Sequence, residues 1–136
     1  MKNFYLTLCM VLLTAGLMAQ SPVKKWQGAS SNNWDYISAN WVPTEGLPFP
    51  AAFAAGDDVL FDDTRNAGQD SISVVGEIDA ANVSFNNSAA VTYSLYSADA
   101  TAKILGAGAI YKENVGEAIV GVNVEMAGGI IARGFY

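Results

Sequence analysis

The sequence predicts an all-β fold of stacked coils, the start of a parallel β-helix or solenoid behind a tryptophan-rich N-terminal cap, with a β-sandwich as the alternative. Three observations predict it. Apolar residues recur at every second position in several short runs through the middle of the chain. Turn-forming clusters separate those runs, whose centres lie about 10 to 13 residues apart. The last third is punctuated by glycines that interrupt any helix and leave short strands and tight corners.

In chain order, residues 1–19 read MKNFYLTLCMVLLTAGLMA. Lys2 precedes an apolar run from Phe4 to Met18, and Ala19 supplies the small residue that a signal peptidase needs. Cleavage is expected between Ala19 and Gln20. The run is shorter than the roughly 20 apolar residues needed to span a bilayer, so no membrane span is expected once the leader is removed. Leu8 stands before Cys9 where a lipoprotein signal wants a small residue, which argues against lipidation. Cys9 is the one cysteine and leaves with the leader, so residues 20–136 form no disulfide and depend on packing and hydrogen bonds. Export without disulfides points to a bacterium, with the product secreted or held at the outer cell surface.

Residues 20–55 are rich in Trp, Asn, Ser and Pro. Pro43, Pro48 and Pro50 forbid a regular helix, and all three tryptophans, Trp26, Trp34 and Trp41, fall in this segment. It reads as a capping segment. The first coil of a solenoid has an open apolar end, which large aromatic rings cover well. The reading adopted is that these indoles form the lid, with Tyr36 as the exposed exception. Stacking of Trp26, Trp34, Tyr36 and Trp41 on glycan rings is the alternative.

Residues 56–136 form the strand-repeat region. Alternation places Val59 and Phe61, Ile72 and Val74, Val83 and Phe85, and Tyr93 and Leu95 on one face of their strands. Clusters such as Arg65-Asn66-Ala67-Gly68 and Asn86-Asn87-Ser88 supply the turns between them. From Lys103 onward, glycines separate short apolar pairs such as Ile104-Leu105, Ile119-Val120 and Ile130-Ile131. Glycine at sharp corners suits a coil that turns between strands and stacks on the next coil.

The order of motifs adds to this. WQG, NNWD, ANW, a proline-rich loop, GDDVLFDD and a series of V-x-F and I-x-G steps resemble the N-terminal part of bacterial surface proteins built from autotransporter-associated β-strand repeats. The similarity runs from Trp26 to about Gly116 and rests on Trp26, Gly28, Trp34, Asp35, Asn40, Trp41, Pro48, Gly56, Asp57, Val59, Phe61, Asp62, Phe85 and Asn86. The resemblance implies a right-handed parallel β-helix, exported and displayed or released, whose tryptophan-rich segment closes the first coil. Such proteins carry many more repeats. This sequence stops at Phe135-Tyr136 in mid-rhythm, so it is expected to be a fragment of a larger protein. A complete protein ending there is expected to self-associate end to end through its open rung.

Composition narrows the chemistry. Residues 20–136 hold six Lys and Arg against thirteen Asp and Glu, a net charge of −7 that repels nucleic acid and anionic lipid. They contain no histidine or cysteine, which removes imidazole bases, thiolate nucleophiles and the usual zinc sites. The most enzyme-like feature is GDDVLFDD, with Asp57, Asp58, Asp62 and Asp63. On a strand, Asp58 and Asp62 share a face but lie about 13 Å apart, too far for one ion to bridge. Calcium at a strand end is the functional reading of these aspartates, and flanking the strand core while accepting from turn amides is the structural one. The structural reading is adopted, with no catalytic residue, metal or cofactor assigned. Two N-x-S sequons, at Asn82 and Asn86, read as chance matches. The expected function is a non-catalytic, adhesin-like structural segment whose partners are extracellular glycans or surface proteins. The alternative is a carbohydrate-binding or polysaccharide-cleaving β-helix.

Overall fold

A computed structural model describes residues 22–133. The predicted leader and its Ala19–Gln20 cleavage site lie outside the described residues, as do residues 134–136. The described chain is all-β, with no helix. Its strands are β1 (Lys24–Trp26), β2 (Asn33–Trp34), β3 (Trp41–Pro43), β4 (Asp57–Phe61), β5 (Ser71–Val74), β6 (Glu77–Phe85), β7 (Tyr93–Ser97), β8 (Lys103–Gly106), β9 (Ile110–Lys112), β10 (Ala118–Gly121), β11 (Asn123–Met126) and β12 (Ile130–Ala132).

These strands wind as a β-solenoid of about three turns with three faces. The first face holds β1, β4, the C-terminal part of β6, β9 and β12, with β3 added at its leading edge. The second holds β2, β5, β7 and β10. The third holds the N-terminal part of β6, then β8 and β11. Every strand ladder is parallel except β1 with β3. That arrangement removes the sandwich alternative. A sandwich reverses the chain through hairpins, whereas here short corners send it onward to the next face: β5 ends at Val74 and β6 begins at Glu77.

On the first face Val59 pairs with Val83, Val83 with Ile110 and Ile110 with Ile130, so successive coils take 24, 27 and 20 residues. The differences lie at two corners. Connections from the first to the second face take nine, seven and five residues, and those from the second to the third take two, five and one. From the third face back to the first, β6 runs through the corner without a break, and the later passages take three residues each. Coils approach backbone to backbone at this third corner. A Cβ on Gly108 would lie 2.0 Å from the Ala81 carbonyl oxygen, so only glycine fits.

The interior is filled by the predicted alternation. Val59, Phe61, Ile72, Val74, Val83, Phe85, Tyr93 and Leu95 are all buried. In-register parallel pairing stacks like on like, and ring separation follows strand spacing, about 4.7 to 4.9 Å. Phe61 and Phe85 lie 4.7 Å apart and 13° from parallel. Tyr93 joins them at 5.2 Å from Phe61, its hydroxyl donating to the Asp62 carbonyl at 2.5 Å, and burial pushes its phenol well above the usual range. The ladder then changes character: Phe85 pairs with Lys112, whose ammonium burial pulls below its ordinary value.

One element differs from the sequence reading. The run read as NVSFN belongs to a nine-residue strand, β6, that begins at Glu77 and serves two faces. A register shift opposite Asp57 and Val59, which face Ala80 and Val83, lets it turn the corner as a bulge.

Candidate functional site

Trp26, Trp34 and Trp41 have no exposed surface. The Trp26 and Trp41 rings meet at 5.0 Å, Trp34 lies 5.2 Å from Trp41, and both Trp34 and Trp41 pack edge-on against Phe61. Phe53, from the proline-rich segment, closes the group at 5.6 Å from Trp34. Glycan stacking by Trp26, Trp34 and Trp41 is therefore corrected: a dry indole offers no face to a sugar. They are the lid over the first coil. Trp26 donates from Nε1 to the Gln69 carbonyl at 2.6 Å, while the Trp34 and Trp41 indole N–H groups are buried without a hydrogen-bond partner.

Tyr36 is the exposed exception, at 42 % of its surface, but its exposed ring is also anchored. The ring packs on Phe53 at 5.4 Å, and its hydroxyl accepts from the Asp79 amide at 2.9 Å. That amide lies on the leading edge of the third face, and Gly56 N–H donates to the Asp79 carbonyl at 2.8 Å. On the second face β2 pairs with β5, and on the first face β3 pairs with β1 and bridges Ala51. The cap thus covers the core and reaches the leading edge of all three faces, leaving few open groups for another strand to pair with.

The loop between β1 and β3 is held by Asn40, which is fully buried. Its Oδ1 accepts from the Ser30 and Ser31 amides, each at 2.8 Å, and its Nδ2 donates to the Asn33 carbonyl at 2.7 Å. Gly28 turns with φ at +65°, and a Cβ there would meet Gln69 at 2.6 Å. Asp35 completes the loop. Burial alone would raise its pKa, but hydrogen bonds from the Ser38 and Ile37 amides and the Ser38 hydroxyl hold it below the ordinary value.

The four aspartates of GDDVLFDD divide between inside and outside. Asp57 shares the inward parity of Val59 and Phe61 and is buried, with Lys24 at 2.6 Å and the Ala54 amide at 2.7 Å on the same oxygen. Asp58 points outward and accepts from Asn82 Nδ2 at 2.8 Å. Asp62 accepts from the Thr64 amide and hydroxyl. Asp63 accepts from the Ser88 amide of the next coil, which lowers its pKa. Asp99 does the same work at another corner, lowered by the Thr101 hydroxyl and the Gly76 amide. Among the described residues no group of three or more His, Cys, Asp or Glu side chains converges as a metal site.

A second feature escaped the sequence reading. Outward residues of the first face line a shallow groove of about 200 Å³, with Asp58, Asn82, Ser84, Tyr111, Glu113 and Arg133 along it. Leu60, Ser84 and Tyr111 stand in one outward ladder, so the small serine leaves a step between two large side chains. Arg133 lies 5.0 Å above the Tyr111 ring and 3.7 Å from Glu113. These residues come from four successive rungs of the first face and meet only because the coils stack; Asn82 stands out in the sequence only as a sequon.

No family model, curated protein or solved structure matches this chain.

Proposed function

We propose that this chain is a non-catalytic, exported structural segment, the N-terminal end of an adhesin-like or passenger-type bacterial surface protein of the autotransporter-associated β-strand repeat kind. Its work is mechanical: a stiff stalk that starts from a closed end. One observation carries the reading. The residues that could have supplied chemistry, the indoles and the GDDVLFDD carboxylates, are engaged in closing the first coil and tying one coil to the next. A solenoid braced in this way resists local opening, the property a stalk exposed to proteases needs.

Expression with the leader in a Gram-negative host tests it. The expected product starts at Gln20, is found outside the inner membrane and resists limited proteolysis between residues 22 and 126. Retention in the cytoplasm with the leader intact, or release of reducing ends from a polysaccharide panel, overturns the reading.

A further inference from the structure

The groove on the outer surface of the first face is built from groups that suit a polyhydroxylated ring. Asp58 and Glu113 offer carboxylate acceptors, Arg133 a guanidinium donor, Asn82 an amide and Ser84 a hydroxyl, with the Tyr111 ring beside them. Sugar hydroxyls both donate and accept, and a sugar's C–H face packs on an aromatic ring, so this mixture answers both needs. The volume, about 200 Å³, is below the ~300 to 1,000 Å³ of sites for drug-sized ligands, which limits the occupant to a single ring.

The site is also preorganised. Ser84 and Tyr111 pair in register on β6 and β9, and Asp58 stands on β4 where the β6 bulge lies opposite it. Asn82 is fixed from two sides, its Oδ1 accepting from the Ala109 amide at 3.2 Å and its Nδ2 donating to Asp58 at 2.8 Å. The β6 bulge is what aims Asn82 outward beside Asp58. Arg133, with 59 % of its side chain exposed, covers Tyr111 through a long ion pair and a ring contact, both weak in water. A ring binding there displaces a loosely held guanidinium and leaves the strands in place. Charge narrows the class further. Asp58, Glu113 and Arg133 sum to −1, which disfavours an anionic sugar and leaves a neutral one, with a basic peptide as the competing occupant.

We infer that this groove is a glycan subsite that takes one neutral sugar unit. The inference rests on the exported role for access to glycans, while the binding itself belongs to the groove. Its test is a ¹⁵N-detected titration of the full chain with glucose, galactose, mannose and N-acetylglucosamine, and separately with a trilysine peptide. The expected result is weak, saturable shifts from at least one sugar, centred on Ser84, Tyr111 and Glu113. Tyr111→Ala and Ser84→Leu, the latter filling the step, are each expected to weaken binding at least about tenfold. If either variant loses the dispersed spectrum of the folded chain, Arg133→Gln on the exposed rim replaces it, with a changed affinity expected. Shifts from no sugar, shifts centred elsewhere, shifts from trilysine in place of sugars, or affinity unchanged in the folded variants overturns it. Failed export leaves the titration result standing, and a failed titration leaves export and protease resistance as they were.

Discussion

At the leading end of the solenoid, β3, Ala51, Tyr36 and Gly56 cover the strand edges, and the indoles beneath them are dry. At the trailing end of the described residues, Ile130 stands in the same inward ladder as Val59, Val83 and Ile110, yet 60 % of it is exposed. Val120 and Val124, paired with buried Leu95 and Ile104, are likewise only partly buried at this end. The two ends share one alternation and one kind of strand. What separates them is whether something lies above, so in a solenoid the burial of a side chain is conferred by the next rung as much as by its own parity.

The largest test of that contrast falls on the lid. Trp34→Ala opens a cavity among Trp41, Phe53 and Phe61 and is expected to cost about 3 to 5 kcal/mol, measured as a shift in urea midpoint with unchanged slope. An effect below about 1 kcal/mol would mean that the lid is ornamental. Asp57→Ala comes next. It removes the counter-charge of the largely buried Lys24, which keeps the Ala52 carbonyl at 2.9 Å, and the acceptor of the Ala54 amide, with an expected loss of about 3 kcal/mol. Its control is Glu113→Gln at the exposed pair with Arg133, where the expected change stays under about 1 kcal/mol.

A third pair sharpens the comparison within one ladder. Ile110→Ala is expected to cost about 2 to 5 kcal/mol, while Ile130→Ala one rung on changes stability by about 0.5 kcal/mol. Equal losses would show that the trailing rung is as well covered as the others. The smallest effect is acid sensitivity. Asp35, Asp63 and Asp99 have folded-state pKa values below the ordinary 3.8, so they bind fewer protons folded than unfolded. Their contribution is complete above 3.8 and is lost as pH falls through the lower folded values. Thermal midpoints measured at falling pH should hold level to about pH 5 and decline below about pH 4.

Much of the architecture was legible because period-two alternation is a local signal. The four apolar pairs from Val59–Phe61 to Tyr93–Leu95 needed no knowledge of their neighbours to be placed inside. The tryptophan lid was legible for a related reason, since three large rings in one turn-rich segment must cover something. Asp57 shows where such reading falters. The parity that buries Val59 and Phe61 also buries Asp57, but a carboxylate inside a core is acceptable only with a partner, and Lys24 lies 33 positions earlier on β1. Strand β6 was misjudged because a bulge at Ala81 and Asn82 breaks the alternation midway, which makes one strand look like the end of a turn followed by a shorter strand. The groove was invisible for the plainest reason: Asp58 and Arg133 stand 75 positions apart, and no periodicity in the sequence announces which outward residues will be stacked side by side.

The three corners of the solenoid also differ. Along one corner Gly106, Gly108 and Gly128 bring successive backbones into contact and the passages hold to three residues or none, whereas the other two corners vary in length, with Gly116 as a tight backbone approach on the first of them. The molecule therefore has a spine and two margins. Insertions or deletions at the margins would add or trim fins along the rod without altering its pitch, while a single methyl group added at the spine would pry neighbouring turns apart. Lineages elaborating this scaffold, and engineers grafting epitopes onto it, have two edges open to them, away from Gly116, and one closed.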